Sequence, residues 1–318
     1  MAHWQSEGDD TGRDRCSAGP RRSTVGRGGL IAAAALVGAS LLAPTSAAAT
    51  GPAPDPGSSV SGAVGPEVVA HRGASGSAPE NTLAAIRAAD EIGADQVEID
   101  VQRTADGEIV LMHDCTLNRT TDVEDVFPGR DSYAVADFTL DELSQLDAGS
   151  WFGPEFAGEP VPTLREAVRE LDPETGLLLE VKVCAGVAGL GADIARELRS
   201  MPGYLWSAVR GDTLVVQSFD HEQMRAFHRR LGVVPVGLLF GSRPSDAELV
   251  AASRWAEQAN PRFRDTDPAL VDRVHELGMA INVWTVNDEA DMRTAVSHGV
   301  DGVITDHPEV LLKVLGRD

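Results

Sequence analysis

From Glu67 onward the chain repeats one arrangement: a short apolar run, a polar turn, then a stretch with apolar positions three and four residues apart. The first unit predicts a strand over Glu67–Arg72 and a helix from about Glu80 to Ile92. Leu83, Ile86 and Ala89 share a face of that helix, and Gly93 ends it. A second strand is predicted over Gln96–Val101. Further apolar runs predict strands over Leu177–Lys182, Thr213–Phe219, Val234–Phe240, Gln258–Asn260, Ala280–Val286 and Gly302–Thr305, each followed by helical periodicity. Eight such strands alternating with helices predict an α/β fold, a (β/α)8 TIM barrel.

The pattern breaks after the second strand. EIDVQRTADGEIVLMHD contains no helical period, and Asp106-Gly107 is a hairpin signal between two alternating runs. Folding about that turn returns His113 to the side of Glu98 and Asp100. Residues 115–162 then predict a small insertion with short helical potential in TLDELSQLD. Thr163 to Glu166 reads as a capping box that opens the next helix, to about Leu171.

Strand alternation puts Glu98 and Asp100 on the same face. Two carboxylates aimed at one spot repel unless a positive charge lies between them, and a divalent cation is the usual answer. The competing reading is a pair of salt bridges to arginines. His71 and His113 end neighbouring apolar runs, where acid/base chemistry near neutral pH would need them. Active sites of such barrels sit at the carboxyl ends of the strands. His71-Arg72, Glu98, Asp100, Glu180, Lys182, Gln217-Ser218-Phe219, Trp284 and Asp306 all fall there.

The order of these motifs resembles the glycerophosphodiester phosphodiesterases over essentially all of residues 66–318. The resemblance rests on His71-Arg72-Gly73, Glu80-Asn81-Thr82, Val97 to Val101, Met112-His113-Asp114, Leu179 to Lys182, Ser218-Phe219, Val283 to Asn287 and Asp301 to Asp306. It implies that Glu98, Asp100 and Glu180 bind one divalent cation, Ca²⁺ or Mg²⁺. It implies that His71 and His113 form the acid/base pair, that Arg72 and Lys182 meet the phosphate, and that Phe219 and Trp284 wall the organic part of a small glycerophosphodiester. Glu80 either caps its helix or borders the site. His221, His228, His275, His298 and His307 are given no role. Two other readings compete: a phospholipase acting on intact lipids, for which Trp151, Phe152 and Phe156 offer an apolar rim, and a non-catalytic binder of phosphodiesters.

Charge and composition narrow the partners. Among 318 residues, 24% are charged and the formal net charge is −22, which excludes a basic nucleic-acid face and static adhesion to anionic membranes. Only two lysines occur, Lys182 and Lys313.

The first 49 residues read as a cleavable export signal. Arg21-Arg22 precede an apolar run from Leu30 to about Ala43 and the small-residue stretch Ser46 to Ala49. The general secretory and twin-arginine routes both fit. The run is too short to span a membrane, so no stable membrane insertion is expected. Residues 50–65 form a Pro/Gly/Ser-rich linker, and 66–318 are the barrel domain. Beyond the signal only Cys115 and Cys184 remain, each near a residue assigned to the active face. A disulfide between them and two unrelated buried thiols are both open, and a secreted location favours the bridge.

Overall fold

Each β-type run becomes a strand whose alternate residues face either helices or the lumen, and that alternation builds a barrel. The computed structural model describes residues 65–184 and 187–317. The predicted export signal and nearly all of the linker lie outside them. The strands are β1 (Glu67–Ala70), β2 (Gln96–Arg103), β3 (Ile109–Leu111), β4 (Gly176–Val181), β5 (Leu214–Ser218), β6 (Val236–Phe240), β7 (Gln258–Pro261), β8 (Asn282–Val283) and β9 (Gly302–Thr305). Their order is β7-β6-β5-β4-β2-β1-β9-β8, parallel throughout, with β3 pairing β2 outside that path. Parallel bridges from Gln258 to Ala280 and from Arg262 to Trp284 bring β7 and β8 together and all but close the ring.

The predicted architecture holds, and the differences lie at strand ends. The first strand stops at Ala70, because Arg72 takes a left-handed φ of 58° that no strand accommodates. The seventh barrel strand, β8, is expected over Ala280–Val286 and is regular only at Asn282–Val283.

Val97, Ile99 and Val101 of β2 join Leu177, Leu179 and Val181 of β4 in the main core, against helices that contribute Ile86, Leu164, Ile194 and Phe227. Glu98 and Asp100 therefore face the lumen. A second, smaller set of Val69, Leu178, Val215 and Ile304 fills the lumen below the strand ends. The insertion carries its own core of Leu117, Phe138, Leu143 and neighbours, built on short helices at Val123–Val126 and Leu140–Leu143. The predicted capping box is present: Thr163 accepts from the Glu166 amide, and Glu166 accepts from that of Thr163. Cys115 and Cys184 form a disulfide.

Candidate active site

The parallel register sets the first part of the site. Asp100 on β2 pairs with Glu180 on β4, and Glu180 with Gln217 on β5. One oxygen from each of Glu98, Asp100 and Glu180 lies within 4.8 Å of the others, and all three residues are buried. Burial, then Asp100 and Glu180, push the Glu98 carboxyl well above its usual range. Burial and Asp100 likewise raise Glu180, to about 7. Asp100 goes the other way: burial opposes its charge, but Lys182, Arg72 and both histidines outweigh that and hold it low.

Three carboxylates in one buried place demand positive charge. Lys182 Nζ supplies some of it, 2.7 Å from Glu180 Oε1 and 3.2 Å from Asp100 Oδ1. Arg72 Nε lies 3.3 Å from Asp100 Oδ2. Neither satisfies Glu98 Oε1, which is buried and has no hydrogen-bond partner among the described residues. Hard oxygen donors, convergence and an orphaned carboxylate oxygen together fit a hard divalent cation.

The turn after β1 is built around this acid cluster. The Arg72 amide donates to Glu98 Oε2 (2.9 Å). Gly73 leaves the room that the following helix needs, since a Cβ there would lie 2.6 Å from the Ala85 backbone. Asn81, also left-handed at φ 57°, donates to Asp100 Oδ2 (2.8 Å) and accepts from the Asp100 amide (2.9 Å). An uncommon backbone state at a non-glycine residue is thus bound directly to a candidate ligand. Thr82, rather than Glu80, caps the helix.

Each histidine is gripped through Nδ1 by its own carboxylate. His71 Nδ1 is 2.6 Å from Asp306 Oδ1, and Asp306 also accepts from Ser75 and Asn287. Burial pushes Asp306 up, but these hydrogen bonds, led by that of His71, win and hold it at about 2. His113 Nδ1 is 2.7 Å from Asp114 Oδ1. Arg119 donates to both oxygens of Asp114, at 2.6 and 3.1 Å, and these bonds above all set Asp114 at about 2. Arg119 also grips both oxygens of Glu80 at 2.7 Å, and Glu80 accepts from Arg72 at 2.8 Å. Glu80 therefore borders the site. Buried Gln102 holds the backbone around His113, donating to the carbonyls of Met112 (2.9 Å) and Asp114 (2.5 Å). Burial lowers the His113 pKa, reinforced by Lys182 and Arg72 and opposed by the charge of Asp100.

His71, Arg72, Glu98, His113, Glu180, Lys182, Phe219 and Trp284 line one cleft, so eight of the nine predicted residues share it. The ninth, Asp100, lies beneath them in the acidic triad. Phe219 meets Trp284 edge-on with ring centres 5.3 Å apart, and Trp284 Nε1 donates to the Asn260 carbonyl (2.8 Å). Trp151, Phe152 and Phe156 stack edge-on among themselves and do not line the cleft. The roles of Asp114, Arg119 and Gln102 escaped the sequence reading. Arg119 sits in a polar stretch of the insertion with no periodicity to mark it, and only the folded loop shows what it holds.

Residues 71–310 match the profile of the glycerophosphoryl diester phosphodiesterase family. The chain belongs to that family. A glycerophosphodiester phosphodiesterase of Caldanaerobacter subterraneus is 35% identical over 250 residues, covering 79% of this chain and 98% of that one. Another, from Bacillus subtilis, is 31% identical over 258 residues, covering 77% and 85%. Among solved structures, a phosphodiesterase of Oleispira antarctica in complex with the product sn-glycerol-3-phosphate superposes with a TM-score of 0.69. It is 30% identical, and the match covers 79% of this chain and 97% of that one. A glycerophosphodiester phosphodiesterase from Agrobacterium tumefaciens gives a TM-score of 0.64 at 28% identity, over 78% and 99%. As a member of the glycerophosphoryl diester phosphodiesterase family, the chain keeps the family's barrel over nearly the full length of these relatives.

Proposed function

We propose that this chain hydrolyses glycerophosphodiesters to sn-glycerol 3-phosphate and an alcohol, with His71 and His113 as the acid/base pair and one divalent cation held by Glu98, Asp100 and Glu180. The observation that carries the reading is the pair of carboxylate-held imidazoles sharing a cleft with three convergent carboxylates.

Asp306 and Asp114 engage Nδ1, which leaves Nε2 of each ring for the substrate. A neutral imidazole accepts a proton there and an imidazolium returns one. One histidine takes a proton from an attacking water as the new P–O bond forms. The other protonates the alkoxide as the old P–O bond breaks, so the net change is water added across the ester. Such proton transfers typically contribute ~10²–10⁴-fold each. Arg72 and Lys182 offset negative charge on the non-bridging oxygens. Glu98, Asp100 and Glu180 would hold a Ca²⁺ or Mg²⁺, which when bound would supply Lewis-acid stabilisation of the charge that develops on the phosphate oxygens. Phe219 and Trp284 exclude water from the organic part of the substrate.

The test is coupled detection of glycerol 3-phosphate from glycerophosphocholine and glycerophosphoethanolamine. Wild type is compared with His71→Ala and Glu98→Ala, with and without chelator. Release that depends on metal and vanishes in both variants supports the reading; no release by folded, metal-loaded protein ends it.

We also propose export from the cytoplasm. The basic–apolar–small order of residues 21–49 and a disulfide that needs an oxidising compartment support it. Full-length protein confined to the cytoplasm of expressing cells would count against it.

A further inference from the structure

The cleft has two chemically distinct halves. On or just beyond β1, β2 and β4, and in the loop after β3, it is lined by His71, Arg72, Glu98, His113, Glu180 and Lys182. On β5, β6, β8 and β9 its walls are Phe219, Leu239, Trp284 and Ile304, with Gln217 and Thr285 as the polar groups. The sheet order keeps each half contiguous. A diester phosphate suits the charged half, and the carbon fragment attached to it faces the other.

We propose that Gln217 recognises that fragment, its amide N–H donating to a hydroxyl oxygen of the glycerol moiety. The inference rests on the function proposed above and adds a specificity residue to it.

The support is a chain of hydrogen bonds that fixes which way the amide points. The Asn282 backbone N–H donates to Asn260 Oδ1 (3.1 Å), and a backbone N–H can only donate. Asn260 must then present Nδ2 on its other side, where it donates to Gln217 Oε1 (2.9 Å) and Gln258 Oε1 (3.2 Å). Gln217 has thus spent its carbonyl oxygen away from the cleft. Its Nε2 has no hydrogen-bond partner among the described residues, and Gln217 lines the cleft although only 1% of its surface is exposed.

The space for this ladder is reserved. A Cβ at Gly237 would lie 2.9 Å from Asn260 Nδ2 and 3.2 Å from Gln217 Cβ, so a side chain at that position would push the two amides apart. An unpartnered amide N–H on the wall of a largely apolar cleft is free to donate to an acceptor, and a hydroxyl on the bound fragment is one. Asn260 is a positioning residue in this scheme: it touches Gln217 and does not line the cleft.

The experiment is calorimetric titration of Mg²⁺-loaded protein with sn-glycerol 3-phosphate and, separately, inorganic phosphate. Wild type is compared with Gln217→Met, which removes the donor at similar volume, and with Asn260→Asp. The latter still accepts from Asn282 but turns the contact with Gln217 into an acceptor, so the glutamine amide must reverse. In both variants the Kd for glycerol 3-phosphate should rise about 10- to 100-fold while that for phosphate stays unchanged. Equal weakening for both ligands, or no weakening for glycerol 3-phosphate, overturns the assignment. Should wild type bind glycerol 3-phosphate no more tightly than phosphate, the glycerophosphodiester reading fails as well, a result distinct from either. Thermal melts of both variants guard against misfolding, and the two act through different atoms.

Discussion

Asp306 and His71 stand 235 positions apart in the chain and share a hydrogen bond of 2.6 Å. The contact follows from β1 and β9 being neighbours in register, Ala70 beside Thr305, so that the next residue of each strand reaches the same rim. The imidazole proposed as an acid/base group at the start of the domain is thus oriented by its far end.

Replacing Asp306 with Asn keeps the shape and removes the charge that holds Nδ1–H of His71. We expect kcat/KM to fall roughly 10²–10⁴-fold with little change in fold. Steady-state kinetics beside a circular-dichroism melt checks this. An unchanged rate would remove Asp306 from the mechanism.

The depressed pKa of His113 has a measurable sign. Burial, Lys182 and Arg72 disfavour its protonated form, and a divalent cation held by the triad would act in the same direction. Its ring should titrate below the ordinary value of about 6.5. The Asp114 hydrogen bond opposes this shift, so Asp114→Asn should lower the pKa further. NMR titration of the ring resonances reads both effects, and a value above the ordinary one contradicts the electrostatics described here.

The acidic triad should make the metal-free protein less stable as pH rises. Glu180 has its folded pKa raised from 4.5 to about 7. A raised carboxyl contributes stability below its unfolded pKa and loses it as pH climbs through the folded one. With chelator present, Glu180→Gln should therefore gain on wild type in melting temperature between pH about 4.5 and about 7. Adding Ca²⁺ or Mg²⁺ should raise wild type and help the variant less. A constant difference across that window would show that the carboxylates do not strain each other.

The disulfide joins the residue after Asp114 to the loop just beyond Lys182, closing 69 residues of chain. Reduction, or Cys115→Ser, should cost about 2–4 kcal/mol of stability. It should also lower kcat, since His113 and Lys182 lie beside the two ends. Denaturant melts and kinetics with and without reductant measure the two effects. Unaltered kcat would leave the bridge a purely structural link.

Much of this was legible in the sequence because strand periodicity and strand-end chemistry coincide. The alternation in Val97 to Val101 is enough to aim Glu98 and Asp100 together, and the Asp106-Gly107 turn is enough to return His113. What escaped were groups whose meaning depends on closure. Arg119 and Gln102 matter through what they hold, and neither lies on a patterned face. Asn81 is visible in the sequence only as part of the Glu80-Asn81-Thr82 motif, with no role of its own, yet its side chain clamps Asp100 from a left-handed backbone. The shortened β8 was unreadable for a related reason, because the Asn282 backbone N–H and the Trp284 indole spend their hydrogen bonds on Asn260 of the neighbouring β7.

The insertion's separate core has one more consequence. Along β3 and the residue after it, Ile109 and Leu111 belong to the barrel core, whereas Val110 and Met112 belong to the insertion core, and His113 comes immediately after. The two imidazoles are therefore housed in different buildings that share a party wall. On the proposed roles, damage confined to the smaller one would take away a single proton carrier while the larger stands intact, leaving a folded protein that is chemically mute.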